Sequence, residues 1–90
     1  MSTDLQGSKV HLRQVGEGIV IEVYDGVVEC ELYDLTDKTN PVEIAEVYLW
    51  CFDKADHHLL GEGTVFYWHI GYETDAFGTI RNFSRFTVRR

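Results

Sequence analysis

Residues 18–35 read Gly18-Ile19-Val20-Ile21-Glu22-Val23-Tyr24-Asp25-Gly26-Val27-Val28-Glu29-Cys30-Glu31-Leu32-Tyr33-Asp34-Leu35, and this stretch decides the fold class. Asp25-Gly26 is the dipeptide that best supplies the positive φ angles of a two-residue hairpin turn. After it, Val28, Cys30 and Leu32 alternate with Glu29, Glu31 and Tyr33, a period of two that marks a strand with one apolar and one polar face. Before it, Ile19, Ile21 and Val23 alternate with Val20, Glu22 and Tyr24, so the first three are expected on the core face.

Working outward, glycines at 16, 18, 26, 61, 63, 71 and 78 and the single proline, Pro41, cut the chain into short β-branched and aromatic runs, too short for helices of ordinary length. Residues 1–9 are polar and aperiodic and are expected to be a frayed leader, with the domain over 10–90 and an extra strand at Val10 to Val15. Downstream, 36–41 is a loop by composition. A strand follows from about Val42 to Phe52, with Ile44, Tyr48 and Trp50 on one phase and Ala45, Val47, Leu49 and Cys51 on the other. That mixed parity predicts a bulge or burial on both sides. Residues 53–60 suit a short helix of two turns at most, capped by Asp53 and ended by Gly61 or Gly63. Strands at Thr64 to Tyr72 and Thr79 to Arg90 form a second hairpin around 73–78.

Strand, strand, strand, short helix, strand, strand is an all-β order. It predicts a small barrel of five to six strands, OB-like or Src-homology-like, with one short helical turn between strands 3 and 4. Ninety residues, 44% hydrophobic and 13% aromatic, suffice for one core. No run approaches the roughly 20 apolar residues of a membrane span, and the first residues lack the basic and apolar regions of a signal peptide. The chain is accordingly expected in the cytoplasm, away from membranes, with Cys30 and Cys51 reduced.

The stretch Gly63-Thr64-Val65-Phe66-Tyr67-Trp68-His69-Ile70-Gly71-Tyr72, followed by Ser84-Arg85-Phe86-Thr87-Val88-Arg89-Arg90, resembles a group of small bacterial proteins of unassigned function. The resemblance runs from about Gly18 to Arg90 and implies the barrel, the acidic loop, the short helix and the C-terminal double arginine; it brings no activity with it. The layout is more loosely similar to OB-type RNA-binding barrels.

The net charge of −7 is unevenly distributed: residues 1–80 carry all 15 acids and four bases, whereas 81–90 carry four arginines and no acid. A domain this acidic repels phosphate backbones at long range, which disfavours nucleic acid as a partner. The final strand is the exception. Phe86 and Val88 share a phase with Ile80, leaving Arg81, Phe83, Arg85, Thr87 and Arg89 on the other, outward phase. With Tyr67 and Tyr72 from the dense aromatic run of the preceding strand, these residues are the expected binding surface. Arg81, Phe83, Arg85, Arg89, Tyr67 and Tyr72 are therefore the candidate site residues.

Other constellations carry less. His57 and His58 near Asp53 and Asp56, with Cys51 and His69, lack the closely spaced ligand pairs of a structural zinc site. Gly16-Glu17-Gly18 lacks the third glycine of a dinucleotide loop, Gly61-Glu62-Gly63 leads into a strand, and there is no nucleophile elbow. The reading is thus a non-catalytic module without metal or cofactor, serving protein–protein interaction or acting as an accessory subunit. It engages a protein partner or another copy through the arginine-rich strand. The alternative is binding of single-stranded nucleic acid by stacking on the barrel face.

Overall fold

The computed structural model describes residues 9–90; residues 1–8 of the expected leader lie outside the described residues, and Lys9 already belongs to a strand. Five strands, β1 (Lys9–Tyr24), β2 (Val27–Asp34), β3 (Glu43–Tyr48), β4 (Val65–Thr74) and β5 (Ile80–Val88), form one sheet in the order β3-β2-β1-β4-β5. Every neighbouring pair is antiparallel. The all-β class is as expected. Among the described residues the sheet is not closed, because β3 and β5 remain edge strands. β3 spans six residues and gives way at Leu49 to a 3-10 turn, which takes the chain off the edge before a ladder to β5 is built.

The Asp25-Gly26 turn has φ of 49° and 74°, the positive pair a tight hairpin turn requires. β1, the first arm of this hairpin, is longer than the sequence suggested. Val10–Val15 and Gly18–Tyr24 are one continuous strand of 16 residues, and Gly16 and Gly18 sit inside it, paired to β2 on one side and β4 on the other. A register shift between Val20 and Glu22 marks a bulge that reverses the expected parity. Val20 pairs with Cys30 and Val23 with Val28 on the core face, while Ile21 is exposed.

β3 corrects a second expectation. Its ladder to β2 is regular, with neither bulge nor two-sided burial. Ala45 and Val47 pack against the core, and the opposite phase is left in solvent, Ile44 at 61% and Tyr48 at 60% exposure.

The connection from β3 to β4 packs over the core face of the sheet. It consists of two 3-10 segments, Leu49–Cys51 and Lys54–Leu59, where one short helix was predicted. Asp53 caps the second by accepting from the Ala55 amide, as its position suggested. Phe52 between them is buried and meets Phe66 edge-on at 5.1 Å and Phe86 at 5.3 Å. Val20, Val28, Cys30 and Val88 complete the buried set with Phe52 and Phe66, and Phe86 packs against it partly buried.

Both cysteines are free thiols. Cys30 is buried and donates weakly to the Ala45 carbonyl at 3.6 Å. Burial, with a smaller contribution from Glu29, pushes its pKa up to about 11. The half-buried Cys51 should therefore react with iodoacetamide in the native protein near pH 8, and Cys30 only on unfolding, because the thiolate is the nucleophile. Mass mapping of the alkylated peptides checks this; equal labelling of the two would show that the core opens at Cys30.

The acidic loop after β2 is organised by one carboxylate. Asp34 accepts from the Thr36 and Asp37 amides and from the side-chain amides of Gln14 and Asn40. These bonds, led by that from Asp37, lower its pKa. A lowered folded-state pKa adds stability that is present above the unfolded value, about 3.9, and is lost as pH falls through the folded value. Urea midpoints should show wild type more stable than Asp34→Asn near neutrality, with the gap closing below about pH 4. A gap independent of pH would remove the charge from this account.

Candidate functional site: the basic edge strand

The core fixes which way β5 faces. Phe86 and Val88 turn inward, against Trp68 and Phe66 of β4. Alternation then sends Arg81, Phe83, Arg85 and Thr87 to the outer face. There Arg81 stands opposite Glu73, Phe83 opposite Gly71, Arg85 opposite His69 and Thr87 opposite Tyr67. Arg89, just past the strand, donates from Nη1 to the Tyr67 hydroxyl at 3.4 Å. That bond, with a smaller pull from Glu17, moves the guanidinium further above its ordinary value. The Arg85 guanidinium carbon lies 5.4 Å from the centroid of the Phe83 ring, within cation–π range.

Five of the six candidate residues thus share one face. Tyr72 does not. It pairs with Asn82 on the opposite face of β4 and stacks on His11 at 4.7 Å. Ile80 keeps its expected phase but is exposed, since it lies beyond the end of the packed core. The fourth arginine also departs from the group: Arg90 pairs with Asp56 of the second 3-10 segment, whose side chain is largely buried. Charge neutralisation within the fold thus accounts for Arg90, contributes at Arg89 and has an acid, Glu73, directly across the ladder from Arg81, while Arg85 faces a histidine and an aromatic ring.

The structure adds residues that sequence reading did not single out. Glu22, Glu29 and Glu46 are in register across β1, β2 and β3 on the same outer face. The Tyr24 hydroxyl donates to Glu46 at 2.9 Å. Its pKa is raised by that bond first and then, among smaller causes, by the charges of the three glutamates. Just beyond β3, Trp50 is 75% exposed and its ring stacks on Tyr48 at 5.7 Å. The phase of Ile44, Tyr48 and Trp50 was visible in the sequence; its exposure follows from β3 being an edge. On the core face, a groove of about 280 Å³ has Leu32, Ala45, Val47, Cys51, Trp68 and Phe86 in its lining, with Glu46 and Tyr48 at β3.

The histidines take separate places. A ring nitrogen of His57, Nε2, lies 3.1 Å from the Phe52 carbonyl oxygen, which anchors the 3-10 segment. His58 is exposed, and His69 belongs to the outer face of β4. Among the described residues, no three His, Cys, Asp or Glu side chains gather as a metal set, and no helix is long and apolar enough to cross a membrane. What the β5 face offers chemically is cations and an aromatic ring beside an open backbone edge. No family model, curated protein or solved structure matches the chain.

Proposed function

We propose that this chain is a non-catalytic protein-binding module that captures an extended acidic segment along β5. One observation carries the reading: Arg85 lies over Phe83 on the outer face of a strand whose far side has no neighbour among the described residues. An unpaired edge offers a row of main-chain donors and acceptors to an added strand. Arginine beside an aromatic is a composition enriched where interfaces concentrate their energy. The sheet is parted between β3 and β5, and this opening exposes the edge that closure into a small barrel would cover. Tyr67 and Phe83 on one face would also suit stacked bases, but the acidic body opposes a phosphate backbone.

The test titrates wild type and the Arg81→Gln, Arg85→Gln, Arg89→Gln triple variant with a labelled alternating Glu/Val peptide and with a short oligothymidylate. Peptide affinity should fall at least about tenfold in the triple variant and weaken as salt rises from about 50 to about 500 mM. The melting temperature should stay close to wild type, because exposed pairs contribute little. Tighter binding of the oligonucleotide, lost in the same variant, would replace this reading with the nucleic-acid one. Peptide affinity indifferent to the three arginines would overturn it.

A further inference from the structure

The two open edges of the sheet carry opposite charge. On the outer face, the β3 end presents Glu46 in line with Glu29 and Glu22, and the β5 end presents Arg81, Arg85 and Arg89. Like charges placed directly across strands destabilise a ladder. Pairing β3 with β3 or β5 with β5 would bring edges of the same sign together; pairing β3 with β5 brings opposite charges together. Charge on edge strands is a common guard against edge-to-edge association. Here the guard blocks like edges and leaves the unlike combination attractive.

We propose that the occupant of the β5 edge is the β3 edge of a second copy of this chain, an inference that rests on β5 being the binding edge. Topology sets the geometry. Each step from β3 through β2, β1 and β4 to β5 is antiparallel, so β3 and β5 run in the same direction. A second copy that continues the sheet, with its core face on the same side, lays its β3 parallel to the first copy's β5. Slips of one residue would turn the apolar phase outward, so only registers two apart are open. The register that centres the shorter strand sets Glu46 beside Arg85 and Ile44 beside Phe83 on the outer face, with Val47 beside Phe86 within. It also covers Ile44 and Tyr48, which the isolated chain leaves in solvent. The contact is head-to-tail: each added copy leaves one β3 and one β5 open, so the assembly grows past a dimer or closes as a ring.

Sedimentation velocity over a concentration series of the full chain tests this with charge reversals. Wild type should show mass rising beyond dimer with concentration. Glu46→Arg alone and Arg85→Glu alone should each remain monomeric over the same range, at near-wild-type melting temperature. An equimolar mixture of the two should associate again, because alternating copies meet through one native pair and one reversed pair. Wild type that stays monomeric overturns the inference, as does a mixture no more associated than its components, or single variants that associate like wild type. Should wild type be monomeric yet bind the Glu/Val peptide through its arginines, only the second-copy partner falls and the protein-binding reading stands.

Discussion

Phe66→Ala is expected to remove much of the stability of this domain, whereas Phe77→Ala is expected to change it little. Phe66 is 0% exposed and fills the space between Phe52, Phe86 and β1; Phe77 is 92% exposed in the β4–β5 loop. Truncating a buried phenylalanine costs about 3–5 kcal/mol through lost transfer energy and the cavity left behind. A chain of this length has roughly 5–13 kcal/mol in total. At about 4–8 °C per kcal/mol for so small a domain, the melting temperature should fall by on the order of 20 °C. An exposed position away from any packed feature stays within about 0.5 kcal/mol. Urea and thermal melts of the two variants decide the matter: comparable losses would mean that the loop ring, too, packs against the protein in solution.

The small core explains which parts of this fold were legible in the chain. The β1–β2 hairpin was, because a turn dipeptide and two alternating arms agree with one another. The length of β1 was not. Glycine marks a break in one context and room for a packed neighbour in another; Gly16 and Gly18 both lie inside the strand, and at Gly18 the Phe66 ring occupies the space a side chain would take. The bulge at Ile21 was hidden for a related reason: parity is a local pattern, and one extra residue opposite β2 reverses it without any sign in the composition. β3 shows a third kind of illegibility. Its mixed parity was visible, but exposure of Ile44, Tyr48 and Trp50 depends on which strand lies at the edge, a property of the whole sheet.

The candidate site divides in the same way. Phe86 and Val88 are strong inward anchors, so the outward phase of Arg81, Phe83, Arg85 and Arg89 could be read from β5 alone. Tyr72 was grouped with them for the density of aromatics around it, although an odd separation from Tyr67 along a regular strand already implied opposite faces. The row Glu22, Glu29 and Glu46 could not be seen at all, since it exists only once the registers of three strands are set. Register likewise aligns Glu46 with Arg85 across the proposed junction.

Gly18→Ala is expected to be strongly destabilising as well, and the positions Gly18 and Phe66 are expected to be coupled. A Cβ at Gly18 would lie 2.1 Å from Cζ of Phe66 and within 2.6 Å of two more ring atoms. The backbone has no room to withdraw, because Gly18 pairs with Leu32 on one side and Phe66 on the other. The ring has none either, held at 5.1 Å by Phe52 and at 6.0 Å by Phe86. Overpacking of this kind costs typically about 1–3 kcal/mol and sometimes more. Reduced unfolded-state entropy returns at most about 1 kcal/mol of that, and only where the new side chain fits without strain. The net effect is a clear loss. In a Phe66→Leu background the smaller side chain leaves room for the methyl group, so Gly18→Ala should cost at least about 1 kcal/mol less there than in wild type, a coupling that a double-mutant cycle on urea midpoints resolves. Additive costs would show that the phenylalanine ring does not lie over Gly18, and with it the packing that holds β1 against β4 would have to be redrawn.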